Sequence, residues 1–241
     1  MGRLDLRRAL LALAGLGLVG LFLALGTWQV QRRAWKLDLI ARVEAGLQAE
    51  PVAPPPKAEW GHLDRRAIEY RRVRVSGRFE HDRAALVQAL TERGGGFWVL
   101  TPLVRADGTT VLINRGFVPG DRKARADRAS GEPAGEVTVT GLLRLTEPGG
   151  GFLRHNDPAA DRWYSRDVAA IAMARNLDEI APYFVDADAA PNPGGLPVGG
   201  LTVVAFRNDH LVYALTWYAL ALMSAGALIY AWRRPRSEAW T

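Results

Sequence analysis

Residues 208–236 read NDHLVYALTWYALALMSAGALIYAWRRPR. From Leu211 to Trp232 there is no charged side chain. The run meets the ~20 apolar residues needed to cross a hydrocarbon core of ~30 Å. Arg233, Arg234 and Arg236 close it. Basic residues gather on the cytoplasmic side of a span, so His210, at the other end, is expected on the outer side. A titratable, metal-binding imidazole at that depth is the most chemically pointed residue in the chain.

The N-terminal end repeats the pattern. Arg3, Arg7 and Arg8 precede an apolar run that begins at Ala9 and continues to about Val30. A basic head, an apolar run and the small residues Ala24 and Gly26 also resemble a secretory signal with its cleavage site. The length of the run, and Trp28 placed as an interfacial anchor, favour an uncleaved span over residues 9–30. The basic head is short and lacks a serine-rich amphipathic stretch, which speaks against a mitochondrial presequence. Trp28, Arg32, Trp35 and Leu39 recur at helical spacing, so the helix is expected to extend to about Leu47. Pro51, Pro54, Pro55 and Pro56 then form a stiff connector.

Residues 51–207 form the expected domain between the spans 9–30 and 211–232. Val73, Val75, Gly77 and Phe79 alternate with Arg72, Arg74, Ser76 and Arg78, a strand with one wet face. Further strands are expected over 84–90, 97–105, 109–117, 136–145, 183–186 and 201–206. Ala106-Asp107-Gly108 supplies hairpin-turn chemistry, and residues 122–135 read as a polar loop. Asp167 caps a short helix over 168–176. The predicted fold is a membrane protein of the α+β class, with two transmembrane helices flanking an extracytoplasmic, antiparallel, barrel-like β domain. Both termini are then cytoplasmic. Arg32, Arg33 and Lys36 run against that orientation, but a long translocated loop escapes the charge count.

The chain has 241 residues, a net charge of +6 and no cysteine. Disulfides, zinc–thiolate sites and iron–sulfur clusters are therefore excluded. The basic balance brings no helix-turn-helix, zinc-finger or single-strand-binding pattern, so no nucleic-acid partner is expected. The four histidines, His62, His81, His155 and His210, form no local metal motif. No G-x-S-x-G elbow occurs, and Asn156-Asp157-Pro158 beside His155 reads as a turn; the domain is not expected to be an enzyme. The triplets at Gly94 to Gly96 and Gly149 to Gly151 lack the Lys-Ser/Thr of a phosphate cradle and read as flexible loops.

Two features remain. Arg115 stands between Asn114 and Gly116 at the end of a strand. Its planar fork suits a carboxylate such as a haem propionate, or equally a structural ion pair inside the barrel end. On the second helix His210, Ala214, Trp217, Ala221 and Ser224 follow steps of four and three and share one face. Gly20, Ala24 and Trp28 offer a facing stripe on the first helix. Plain helix packing accounts for this; so does a crevice for a planar cofactor with His210 as axial iron ligand.

Four blocks together resemble the surfeit locus protein 1 family. They are Leu25-Gly26-Thr27-Trp28-Gln29 with Arg32, Trp35 and Lys36; Tyr70-Arg71 with Val73, Val75, Gly77 and Phe79; Val99-Leu100-Thr101-Pro102-Leu103 followed by Val111 through Asn114-Arg115-Gly116 to Pro119; and Asn208-Asp209-His210-Leu211 with Tyr213, Ala214, Thr216, Trp217 and Tyr218. They keep the family's order and its two-helix layout. The resemblance implies an assembly factor for the catalytic subunit of haem-copper oxidases, with haem a as an associated cofactor. It further implies His210 as the implicated histidine, followed by Trp217. The expected partners are that oxidase subunit, the haem a synthase and the lipid bilayer. Alternatives are a structural chaperone that never touches haem, or an extracytoplasmic sensor with a ligand pocket in its barrel. Alanine-, arginine- and glycine-rich usage points to a bacterial cell membrane.

Overall fold

The structure is a computed structural model and describes residues 3–151, 153–201 and 208–233. Helix α1 runs Arg3–Gln48, and a single helical turn, α2, covers Arg65–Ile68. Strands β1 Arg72–Phe79, β2 Ala85–Thr91, β3 Gly94–Val104, β4 Thr110–Pro119 and β5 Glu136–Leu145 follow. A small hairpin, β6 Gly150–Gly151 and β7 Arg154–His155, leads to α3 Val168–Arg175, β8 Ile180–Ala187 and finally α4 His210–Arg233. The strand expected over residues 201–206 falls almost wholly outside the described residues.

The chain divides into two compact units: the terminal segments Met1–Arg42 with Ala205–Thr241, and the middle, Val43–Val204. In the middle unit the strands run in the order β1-β5-β8-β4-β3, and β3 returns to β1 through Arg78↔Val104 and Phe79↔Leu103. Five strands thus close a barrel, and β2 hangs on the first half of β3. Closure needs Gly77, where a Cβ would overlap the Val104 carbonyl. The expectation of an antiparallel sheet needs correction at one seam, because β4 and β8 pair parallel. These two strands are the most fully buried, and parallel pairs belong where both faces are covered.

Two apolar clusters explain that burial. Inside the barrel, Val73, Val75, Leu103, Val111, Ile113, Leu143, Tyr183 and Val185 pack together. On the outer face, Leu100, Leu112 and Phe184 meet Trp163 and the Val168 and Ile171 side of α3. Asp167 caps α3 by accepting from the Ala170 N–H at 3.1 Å, and Asn176 ends it in the left-handed conformation.

Two loops expected from glycine content are instead strand. Gly94 and Gly95 pair with Thr91 and Leu90. Gly96 is required because a Cβ there would lie 2.6 Å from Phe117 Cε2. Gly150 and Gly151 pair with His155 and Arg154. Nor is the polar stretch after Arg122 a plain loop: Arg125–Gly131 is a 3-10 segment that buries Arg128 to 5% exposure.

In the terminal unit, α1 from Ala9 onward and α4 are long and apolar enough, by length and composition, to cross a membrane. Their large apolar side chains are widely exposed, among them Leu11, Leu16, Leu222 and Met223, as expected of helices whose surroundings are apolar. They pack antiparallel. Gly15 lies under Leu228, Phe22 stacks on Trp217, Gly26 lies under Tyr218 and Thr27 Oγ1 is 3.2 Å from the Tyr218 hydroxyl. Glycine at two of these contacts lets the backbones approach. Ala214 and Ala221 are the buried residues of α4, so the small-residue face read on that helix is its packed face. The stripe read on α1 is displaced. Gly20 has nothing near it and Trp28 is 52% exposed, while Phe22, Gly26 and Gln29 make the contacts.

Candidate functional site

His210 is the first residue of α4, and its imidazole Nδ1 lies 2.7 Å from Gln29 Oε1 on α1. An amide oxygen can only accept, so Nδ1 carries the proton. Nε2 is then the lone-pair nitrogen, the form in which imidazole binds a metal. A neighbour that fixes tautomer and ring orientation is the usual companion of a metal-ligating histidine. Gln29 lies within the Leu25-to-Gln29 block, but nothing in its spacing identified it as the partner of a residue 181 positions away.

Among the described residues no group of three or more His, Asp or Glu is placed to hold a metal ion. A protein-only metal centre is thus not assembled. A haem asks less, since its porphyrin fills four iron positions and one imidazole can supply an axial fifth. His210 fits that demand. Trp217, expected to offer a ring face to a planar cofactor, carries Phe22 on one face, with centroids 5.7 Å apart and planes 24° apart, and is otherwise half-buried.

Arg115 belongs to the barrel unit and lies inside β4, 4% exposed. Among the described residues it makes no ion pair, so the structural pair expected of it inside the barrel end is not formed there. Nη2 donates to the Gly131 carbonyl and, at 3.1 Å, to Asn192 Oδ1, and the guanidinium lies 5.0 Å over the Phe79 ring. Its pKa is brought down to about 10, chiefly by burial; Glu132 pulls the other way, and Arg128 adds a lesser push downward. It remains charged at neutral pH.

Its neighbours in sequence build a separate hub. Asn114 Nδ2 donates to Asp186 Oδ1 at 2.7 Å, and Asn114 Oδ1 accepts from the Gly116 N–H at 3.2 Å. Asp186 also receives Arg144 Nη1 at 3.1 Å and Arg166 Nη1 at 3.2 Å. Arg166 grips Glu147 as well, through Nη2 at 2.5 Å and Nε at 3.0 Å. Burial pushes the Glu147 carboxyl up, but the bonds and charge of Arg166, with Arg144 behind, hold it below the usual range. Sequence reading missed this hub, since its members come from four separated segments. Gly116, at φ +128°, has the Val198 carbonyl where a Cβ would stand. The Asn-Arg-Gly sequence is therefore built into the barrel wall.

These features define a class: a chain whose middle closes a five-strand barrel and whose apolar end helices pair, with the histidine that opens the second helix held by a side chain of the first. The model of the SURF1 family matches residues 16–222. Surfeit locus protein 1 of Rattus norvegicus is 38% identical over 226 residues, covering 87% of this chain and 70% of that protein. The Homo sapiens protein is 38% identical over 225 residues, covering 86% and 71%. A SURF1-like protein of Monosiga brevicollis is 37% identical over 224 residues, covering 87% and 83%. The chain belongs to the SURF1 family.

Proposed function

We propose that this chain is an assembly factor for a haem-copper oxidase and assists haem a insertion into the catalytic subunit. Membership of the family supports the assembly role. The single observation that supports the haem step is the Gln29–His210 hydrogen bond, which leaves Nε2 as a lone-pair donor. His210, through Nε2, would hold the iron of haem a, the redox group destined for the oxidase. His210 offers a single ligand, which can be given up more readily than a pair. Gln29 keeps the proton on Nδ1 throughout. Hydrolytic or redox turnover by the chain itself is not part of the proposal.

In this reading the two helices span a bacterial inner membrane, both termini are cytoplasmic and the barrel is periplasmic. The partners are the oxidase subunit, as acceptor, and a haem a synthase, as donor. The test is to purify the full chain from cells that make haem a and to compare absorption spectra with His210→Ala and Gln29→Leu. Loss of haem in His210→Ala and a shifted spectrum in Gln29→Leu are expected. Equal haem content in all three removes the histidine from the account.

A second reading has its own observation. Phe22 stacks on one face of Trp217, and both helices carry exposed large apolar side chains, which favours direct docking of the oxidase subunit without haem. Pigment-free protein that still carries the oxidase subunit favours this reading.

A further inference from the structure

Buried guanidinium groups are stable when every N–H has a partner and a counter-ion lies close. Arg115 fails the first condition and meets the second only through Glu132, a carboxylate it shares with two other arginines. Its Nη1 is buried and has no hydrogen-bond partner, and it makes no ion pair among the described residues. Glu132 does not neutralise it, because that carboxylate is held by Arg125 at 2.7 Å, with Arg128 at 3.6 Å. Arg128 adds a second buried cation whose Nε and Nη1 also lack hydrogen bonds, Nη1 having only the longer ion pair with Glu132. His81 stands nearby with Nε2 3.1 Å from the Pro133 carbonyl; burial and the Arg115 charge hold it below the usual histidine range despite that carbonyl.

Arg115 lines a cavity of about 240 Å³. Phe79 ends β1, Val137 and Val139 open β5, and Ala187 ends β8, so the cavity sits at one mouth of the barrel. Its walls are mostly apolar, from Phe79, Ile113, Val137 and Val139. Asp188 is the acidic group on its lining, and Arg72 holds it at 2.7 Å. A buried guanidinium with no ion pair among the described residues, in the wall of a mostly apolar slot, asks for one negative charge on an apolar body. A dianion such as phosphate, with no apolar body, would leave those walls uncovered.

We propose that this cavity binds a small monocarboxylate with an apolar body, its carboxylate toward the Arg115 guanidinium and its body against Phe79, Ile113, Val137 and Val139. The proposal stands on the barrel unit and is independent of haem at His210. The burial that lowers the Arg115 pKa is the cost that such a counter-ion would relieve.

The test uses the full chain in lipid nanodiscs, with benzoate as probe and benzamide as its uncharged isostere, read by calorimetry and by the arginine side-chain NMR signals. Saturable benzoate binding that shifts the Arg115 signal is expected, with benzamide at least tenfold weaker. Arg115→Gln should weaken benzoate at least tenfold. Should Arg115→Gln fail to fold, Ala190→Trp decides, since it fills the cavity mouth from an exposed position and leaves Arg115 in place. It should abolish binding with the melting temperature unchanged. Equal binding of benzamide, benzoate binding that survives Ala190→Trp, or no saturation below about 10 mM overturns the proposal.

Discussion

Replacing Asp186 by alanine removes the carboxylate on which Asn114, Arg144 and Arg166 converge. The side chain of Asp186 is 1% exposed, while those of Arg144 and Arg166 are 14% and 15% exposed. Removing one partner of a buried pair costs about 3–5 kcal/mol, because the other charge is left stranded. Here the two cations suffer unequally. Arg166 keeps Glu147 through two short bonds. Arg144 keeps only Glu69 at 3.9 Å and Glu147 at 4.0 Å, with its guanidinium 4.6 Å over the Tyr70 ring. The loss therefore belongs near the low end, about 3 kcal/mol. Asp186→Asn keeps an acceptor for Asn114 but no charge, so it should fall between wild type and alanine. Urea unfolding of the full chain in detergent, followed by fluorescence of the buried Trp163, measures both. An Asp186→Ala/Arg144→Met cycle should give a coupling of at least ~1 kcal/mol. A loss under about 1 kcal/mol for Asp186→Ala, or no coupling, would show that the hub is solvated and would refute the reasoning.

Gly26→Val sets a Cβ 2.8 Å from Tyr218 Cε1, so the helices must part or Tyr218 must swing away from Thr27. With no natural cysteine in the chain, a Phe22→Cys/Trp217→Cys pair reports this directly: oxidative cross-linking should fall several-fold, and unchanged cross-linking would sink the packing account. For Tyr183, burial raises the phenol pKa to about 12, with the nearby Trp60 opposing, and its hydroxyl donates to the Pro55 carbonyl at 2.9 Å. A raised folded pKa means the stabilisation is complete below the unfolded value near 10 and is lost as pH rises through about 12. The absorbance difference at about 295 nm between wild type and Tyr183→Phe should therefore show no phenolate until close to pH 12, and a step near pH 10 in native protein would contradict it.

Much of the element map was legible because it rests on local patterns. The alternation in β1, the Asp107 turn and the Asp167 cap each follow from a few neighbouring residues, and β5 spans Glu136–Leu145 as read. The errors lie where neighbours in space overrule neighbours in sequence. Gly94 to Gly96 looks like a loop until β2 lies beside it. The parallel seam of β4 and β8 joins strands with β5 and α3 between them in the chain, and no local period records such a pairing.

The same division holds for the candidate site. Sequence by itself determined that two apolar helices flank a strand-rich middle, that thiol chemistry is absent, and that His210 opens the second helix, since these depend on residue type and order along one chain. Only the tertiary structure decided that Gln29 selects the nitrogen His210 leaves free, that Phe22 stacks on one face of Trp217, and that Arg115 has no ion pair among the described residues at the barrel mouth. Each of these depends on distances between side chains far apart in the chain, and such distances exist only once helices pack and a sheet closes.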